Sequence, residues 1–376
     1  MNLRFVIIGF LISFFCFVSL AQEGLKTARN GRVFKIFQFP KNEIPRIDGD
    51  TMDWNMVPNN YIYRTNELMD TEDGGGSDID PSDLNVRVRI GWVNGLNRIY
   101  FLYQAYDDYW DFGRFNPDGY LNDIFELVVD GDLSGGPFIF NPRYARDSLK
   151  WNGKNPEYLE NHFSFSGVHA QNYHIYTPPV NNAWTLIWGC QPWISEFPYA
   201  NVAYDYNFLP GEDGDLVLEG WITPFDYAPY DGPDRAITTQ LNEGNLIGLS
   251  WSILDFDGKK REGHVNLSHN VNMVKDASYL CAFQLMPLEA NYLEQIKADW
   301  SFQVIDMQQG QVAFQDESMG VIDKWLWDFG DGTFSNEQNP VHYFLEKGVH
   351  KVITLSVEGP KGISKRTRYW EVMIGN

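Results

Sequence analysis

The strongest constraint in this chain is a period of two. In residues 85–93, Val86, Val88, Ile90 and Trp92 share one face, and in residues 98–106, Ile99, Phe101, Tyr103 and Ala105 do the same. Successive side chains of an extended strand point to opposite sides, so each run can bury one face and wet the other. Between the two runs, Asn94-Gly95-Leu96-Asn97 carries the Asn-Gly signal of a tight reversal, which predicts an antiparallel hairpin. Residues 33–39 alternate as well. Further short β runs follow at 123–130, 172–177, 183–188, 201–207, 216–222, 246–254 and 279–286, separated by Pro, Gly and Asn. This spacing predicts an all-β chain whose larger part, residues 22–288, is an antiparallel β-sandwich.

Helical periodicity is scarce, and residues 289–298 are the one stretch that reads as a helix. They are expected to form a linker to a second domain at 299–376. Within that domain, Trp325-Leu326-Trp327-Asp328-Phe329-Gly330-Asp331-Gly332-Thr333 is a turn in its own right. Asp328 and Asp331 can hold it through side-chain to backbone hydrogen bonds, with Gly330 and Gly332 supplying positive φ. Residues 351–357 then alternate again.

The first residues are read as a targeting segment and not as fold. Arg4 precedes an apolar run over 5–20 that ends in Ser19-Leu20-Ala21, the pattern of a cleaved signal peptide over 1–21. The run falls short of the roughly 18 to 20 residues a spanning helix needs. No second run of that length follows, so no membrane span is expected in the mature chain. The expected location is secreted, extracellular or periplasmic. Cys16 leaves with the signal, and Cys190 and Cys281 then either pair or sit as buried apolar residues.

A formal charge of −21 excludes nucleic acid as a natural partner, because phosphate binding needs a clustered basic face. An acidic exported chain fits calcium, neutral sugars or plain solubility. Aromatic residues make up 16% of the chain and include 13 Trp, more than a ligand site needs, so most belong to the core.

Two acidic loops are candidate metal sites. Asp130-x-Asp132-x-Ser134-Gly135 has the oxygen spacing of the first half of a calcium loop, although position twelve is Asn141 and not the closing Glu. Asp255-Phe256-Asp257-Gly258 is a shorter version. Asp130, Asp132, Ser134, Asp255 and Asp257 are therefore the expected calcium ligands, against the alternative of solvated turns. His162, His169 and His174 show no zinc spacing.

For catalysis, Glu126 and Asp130 on one strand would lie about 13 Å apart at roughly 3.3 Å per residue, too far for either glycosidase geometry. There is no Gly-x-Ser-x-Gly elbow and no phosphate-binding loop before a helix. Whether the chain is an enzyme stays open at this point. The residues favour a binder, and a glycoside hydrolase with dispersed carboxylates is the enzyme alternative.

Two resemblances sharpen these expectations. The Trp-Asp-Phe-Gly-Asp-Gly turn at 327–332, Asn339-Pro340, Tyr343 and Gly348-Val349-His350-Lys351-Val352 strongly resemble the PKD (polycystic-kidney-disease) repeat, with His350 where the family usually has Tyr. This implies an immunoglobulin-like β-sandwich serving as a spacer or as an interaction module for a protein partner. In the larger domain the resemblance is to a family 9 carbohydrate-binding module. It rests on Pro45-Arg46-Ile47-Asp48-Gly49-Asp50-Thr51-Met52-Asp53-Trp54, on Tyr106-Asp107-Asp108, on Asp123-x-x-Glu126-x-x-x-Asp130, and on residues 247–258 and 282–285.

That second resemblance implies noncatalytic binding of a polysaccharide or oligosaccharide held between two aromatic side chains, with calcium nearby. It places Tyr120, or Trp110 behind it, in the first stacking position and Asp107, Asp108, Asp123 and Glu126 as polar supports. The second stacking position falls at Asn272-Met273-Val274, which has no aromatic, and Trp151, Trp184, Trp188 or Trp193 is left to fill it. Trp184, Leu186 and Trp188 share one face of a strand and are expected in the core. A structural or adhesion module without sugar binding and a haem-binding relative of the same sandwich class remain as alternatives.

Overall fold

The computed structural model describes residues 27–72, 75–114, 118–139, 164–258, 260–345 and 350–373. The expected signal peptide at 1–21, Asn141, Trp151 and His162 lie outside the described residues. No described helix is long and apolar enough to cross a membrane.

The larger domain contains β1 (Val33–Gln38), β2 (Ile62–Arg64), β3 (Met69–Asp70), β4 (Leu84–Val93), β5 (Leu96–Asp107), β6 (Ile124–Asp130), β7 (Gln171–Val180), β8 (Ala183–Ile187), β9 (Ala200–Tyr206), β10 (Gly214–Ile222), β11 (Phe225–Tyr227), β12 (Ile237–Thr238), β13 (Leu246–Asp257), β14 (Lys260–Asn266) and β15 (Cys281–Leu285). They form two layers. One runs β8-β7-β6-β13-β15-β1 and the other β1-β4-β5-β10-β9, with β14 beside β13 and β2 beside β4.

Strand β1 belongs to both layers. Its first half, Val33 to Ile36, runs parallel to β15, and Phe37 and Gln38 then run parallel to Gly91 and Trp92 of β4. The remaining pairings between these strands are antiparallel, as the hairpin spacing requires. The alternating residues of both layers meet in one core that includes Trp92, Phe101, Tyr103, Phe125, Leu127, Trp251 and Phe283. Across the layers the Tyr103 and Phe125 rings stack at 4.4 Å. Each fully buried side chain of this size stabilises the fold by about 1.5–3 kcal/mol.

The second layer also carries an apolar cluster on its outer side. There Phe37, Phe39, Tyr100, Leu102 and Trp221 are covered by Trp54, Val57 and Tyr61 of the preceding segment. Residues 45–54 take this covering place in the fold.

The smaller domain contains β16 (Trp300–Asp306), β17 (Gln311–Asp316), β18 (Lys324–Asp328), β19 (Phe334–Ser335), β20 (Val341–Tyr343), β21 (His350–Gly359) and β22 (Gly362–Met373). Sheets β16-β17-β20 and β19-β18-β21-β22 enclose Trp300, Phe314, Trp327, Phe329, Ile353 and Leu355. Its acidic turn forms as expected: Asp328 Oδ1 accepts from the Gly330 N–H and Asp331 Oδ1 from the Thr333 N–H, both at 3.0 Å. Gly330 has φ +71°, and a Cβ there would lie 2.3 Å from the Val352 carbonyl oxygen, so no other residue fits.

Two expectations are corrected. Residues 289–298 form no α-helix; they hold one 3₁₀ turn, Ala290–Tyr292, and an isolated bridge at Lys297. Tertiary contacts override the local pattern there, since Tyr292 Oη donates to the Met56 carbonyl at 3.1 Å and Tyr61 Oη donates to Glu289 at 2.7 Å. Cys190 and Cys281 form no disulfide; Cys281 is buried in the core.

Candidate functional site

Two neighbouring groups of polar side chains are built on the first layer. The first lies on its outer face. Phe125, Leu127 and Val129 of β6 point into the core, which turns Glu126 outward. The register sets His174 of β7 and Ser252 of β13 on either side of Glu126, with Asn266 of β14 beyond Ser252. Glu126 Oε1 accepts from Asn172 Nδ2 at 2.8 Å and Oε2 from Ser252 Oγ at 2.8 Å. His174 Nδ1 lies 3.4 Å from Oε1, and His264 Nε2 lies 4.0 Å from Oε2.

All of these side chains are buried. Burial alone would raise the Glu126 carboxyl, but His174, His264 and Asn172 outweigh it and hold the group well below the usual carboxylate range. Among the described residues His174 Nε2 and Asn172 Oδ1 are buried without a hydrogen-bond partner. Trp188 stands at the edge of this row. Its ring centroid is 5.8 Å from that of His174, its backbone N–H donates to the Asn172 carbonyl, and it is 41% exposed.

Apolar cushions flank the row. On one side are Val128, Phe138, Met273 and Leu280; on the other are Ile124, Tyr176, Leu254 and Phe256, against which Leu121 packs. The short turn Gly119–Leu121 carries Tyr120, which is 46% exposed.

The second group lies where β5 ends, β6 begins and β13 leaves its pairing. Carboxylate oxygens of Asp107, Asp123 and Asp255 lie within 4.8 Å of one another, and those of Asp83, Asp108 and Asp257 do likewise. Asp107, Asp123 and Asp255 are buried. Asp123 accepts the N–H of Phe256 at 2.8 Å and that of Asp111, and Asp107 accepts the N–H of Tyr109 at 3.0 Å. The Asp255 carboxylate, on a residue only 4% exposed, accepts no hydrogen bond among the described residues, and Asp257 Oδ1 is buried without a partner.

Burial first, and then the neighbouring carboxylates, push Asp107 up to about 7, Asp255 to about 8 and Asp257 to about 6, and raise Asp123 as well. The nearby Arg114 is committed to Asp111 at 2.6 Å. A cavity of about 430 Å³ opens beside the group, lined in part by Asp70, Asp80, Asp83, Asp255 and Glu262. The six Asp of the two triads, none with a side-chain cation within 4.0 Å among the described residues, make a donor set suited to a hard, oxygen-seeking ion such as calcium.

The structure redistributes the residues singled out by sequence. Trp110 is corrected: it is 1% exposed, its ring stacks on Phe208 at 4.8 Å and its Nε1 donates to the Gly214 carbonyl at 2.9 Å, so no ring face is open to a ligand. Asp107, Asp108 and Asp123 join the acidic group and not the polar row on the outer face, whereas Glu126 is the centre of that row. Asp130 and Asp132 make a turn. Asp130 Oδ2 accepts the Gly135 N–H at 2.8 Å and Asp132 Oδ1 the Ser134 N–H at 3.0 Å, and no third acidic side chain joins them among the described residues. Asp255 and Asp257 are together as expected but face different triads.

Of the described Trp candidates for a second platform, Trp193 is nearly buried, with its Nε1 donating to the Pro229 carbonyl. Trp184 packs on Tyr173 at 6.2 Å. The expectation that Trp184 and Trp188 share a core face fails, because Trp184 packs against the core whereas Trp188 is exposed. Sequence reasoning passed over Asp83, Asn172, His174, Ser252 and His264 as site residues. Their one local signal is a polar residue at an alternate position of an otherwise apolar strand, such as His174 between Tyr173 and Ile175.

With this geometry in hand, comparison with known proteins identifies the smaller domain. Residues 293–374 match the family described as PKD domain. The PKD1 domain of the Vibrio cholerae metalloprotease PrtV is similar to this PKD domain at 25% identity, covering 22% of this chain and 100% of that one, with a TM-score of 0.20. For the larger domain, a carbohydrate binding module family 9 from Caldicellulosiruptor kristjanssonii in complex with glucose is similar at 14% identity, covering 69% of this chain and 97% of that one, with a TM-score of 0.43. A putative carbohydrate-binding protein from Bacteroides uniformis is similar at 10% identity over 68% of this chain and 99% of that one, with a TM-score of 0.34. No curated protein matches the chain.

Proposed function

We propose that the larger domain is a noncatalytic carbohydrate binder of an exported protein and that the sugar docks on the outer face of β7, β6 and β13. The observation that carries this reading is Trp188: an exposed indole at the edge of a buried polar row that fixes its position through His174 and Asn172. A rigid aromatic ring matches the apolar face of a pyranose at small entropic cost. Tyr120 is the second exposed ring bordering the same face. Glu126 acts from below, holding Asn172 and His174 in place. The PKD domain serves as spacer or as an interaction module toward a protein partner.

Calcium belongs to this proposal as a structural ion. Asp107, Asp123 and Asp255, continued by Asp83, Asp108 and Asp257, would hold it, and the unpartnered Asp255 carboxylate is the specific sign that a cation is wanted there. The ion would supply the positive charge that four separate stretches of acidic chain lack, without taking part in any reaction.

Affinity electrophoresis against a panel of soluble polysaccharides, run beside a reducing-sugar release assay, tests the reading. The expected result is retention by at least one glycan, reduced about tenfold by Trp188→Ala, a loss of the order of one ring contact. The reading fails if Trp188→Ala leaves every retention unchanged. It also fails if sugar release is seen that a single carboxylate substitution abolishes.

A further inference from the structure

The outer face of the second layer holds a cluster of positive charge in a chain of formal charge −21. Val86, Val88 and Ile90 of β4 point into the core, so Arg87 and Arg89 project outward, and Tyr63 of β2 points inward, so Arg64 does the same. The register places Arg64 directly opposite Arg87, and Arg87 directly opposite Gln104 of β5. Arg89, two residues along the same face, donates from Nη1 to Gln104 Oε1 at 2.6 Å, and its Nε is buried without a partner among the described residues.

Like charges set opposite each other on a sheet destabilise it, and acidic partners are plentiful in this chain. None has been recruited. Eight other described arginines each lie within 4.0 Å of a carboxylate, and Arg98 lies over Trp221 at 3.8 Å. Arg64, Arg87 and Arg89 have neither kind of partner among the described residues. Burial first, and then Arg87 and Arg64, lower the Arg89 guanidinium, in keeping with three cations sharing one patch.

A groove of about 240 Å³ starts at Arg87 and Gln104 and runs past Asn85 and Tyr106 to Asp215. One end therefore offers the Arg87 guanidinium, with Arg64 opposite it on β2 and Arg89 two residues along β4, the middle offers amides and a tyrosine, and the far end offers the Asp215 carboxylate. A simple dianion would be repelled at the Asp215 end, and a neutral sugar would leave the arginines unused. A ligand with an anionic group at one end and hydroxyl donors at the other satisfies both ends.

We propose that Arg64, Arg87 and Arg89 take the carboxylate of a uronic acid residue, with Gln104, Asn85 and Asp215 pairing with its hydroxyls, as a second glycan site on the face opposite Trp188. A planar guanidinium pairs with a carboxylate through two parallel hydrogen bonds, a geometry matched to this group. That the anion is a sugar acid rests on the carbohydrate reading above; that the patch binds a carboxylate does not.

The test uses the full chain in affinity electrophoresis against polygalacturonate, a neutral glucan and polyglutamate, at low and high salt. The expected result is retention on polygalacturonate that weakens as salt rises and falls at least tenfold in both Arg87→Ala and Arg64→Ala. Arg87→Lys, which keeps the charge and loses the fork, is expected to fall between. Thermal unfolding of each variant checks folding, and loss of a like-charged neighbour should leave the melting temperature level or higher. Absent retention of the parent chain, retention insensitive to both Ala substitutions, or equal loss in Trp188→Ala overturns the proposal. Tighter binding to polyglutamate overturns the sugar assignment. Retention that fails only on the neutral glucan counts against the Trp188 face and supports a separate acidic-sugar site.

Discussion

The indole N–H of Trp54 donates to Glu219 Oε2 over 3.0 Å, while Oε1 of the same carboxylate accepts the backbone N–H groups of Asp48 and Gly49 at 2.6 Å each. One buried side chain of β10 thus fixes the turn at 48–50 and the Trp that plugs the outer cluster. Removing a shared acceptor leaves three donors without a partner, at about 1–3 kcal/mol for each donor that stays buried. Glu219→Ala is expected to lower stability by roughly 3 kcal/mol, and Glu219→Gln, which keeps one carbonyl acceptor, by less. Urea unfolding followed by Trp fluorescence measures both, and equal stability of Glu219→Ala and the parent chain would remove this carboxylate from the fold's supports.

Residues 45–54 show how much of the fold is legible in the sequence. Ile47 and Trp54 as plugs, and Asp48, Gly49 and Asp50 as a reversal, follow from residue type and spacing. Their anchor, Glu219, lies far along the chain in a strand where an isolated acid looks like a solvent-facing position. The same holds at the site. Glu126 was recognisable as a landmark, but the pairing that brings His174, Ser252 and Asn266 into its row is set by strand order, which period-two alternation does not encode. Asp107, Asp123 and Asp255 each occur where a strand begins or ends, and only the two-layer topology makes them neighbours. Trp110 was misplaced because a Trp in a polar loop stretch, Asp107 to Asp111, suggests exposure, whereas Phe208 of a distant loop covers it.

The acidic group predicts a calcium-dependent melting temperature. An ion that binds only the folded chain stabilises it by about 2.7 kcal/mol at a hundredfold excess over its dissociation constant. Calorimetry of the chain stripped with a chelator and then titrated with calcium should show the larger domain's transition rise, whereas magnesium, which tolerates such irregular oxygen cages poorly, should do less. Asp255→Asn should abolish the response and also raise the melting temperature of the stripped chain, since it removes one of three adjoining carboxylates. A transition indifferent to calcium would leave the six Asp as a repulsive cluster without an ion.

Trp110 and Tyr120 separate packing from binding. Trp110→Ala removes a fully buried indole stacked on Phe208 and should cost about 3–5 kcal/mol. Tyr120→Ala touches an exposed ring and should stay within about 0.5 kcal/mol of the parent while weakening glycan retention. Chemical denaturation and affinity electrophoresis on the same samples check the pair. The opposite pattern, in which Trp110→Ala folds as well as the parent and loses binding, would return Trp110 to the ligand surface.

In the PKD domain, His342 Nε2 lies 2.7 Å from Asp331 Oδ2, and the His342 ring stacks on Phe329 at 4.0 Å. Burial alone would raise the Asp331 carboxyl, but hydrogen bonds from Thr333 and His342 outweigh it and hold the group below its ordinary value. A carboxyl held lower in the folded state than in the unfolded chain adds stability that is fully present above the unfolded value, about 3.9, and disappears as pH falls through the folded one. Protection of the amides across 324–343 against hydrogen exchange, corrected for the intrinsic pH dependence of exchange, should therefore fall below about pH 4 in the full chain. Asp331→Asn should flatten that dependence while slightly raising exchange at neutral pH, where the charged hydrogen bonds are lost. An acid response of the same size in Asp331→Asn would assign it to other carboxylates of the domain.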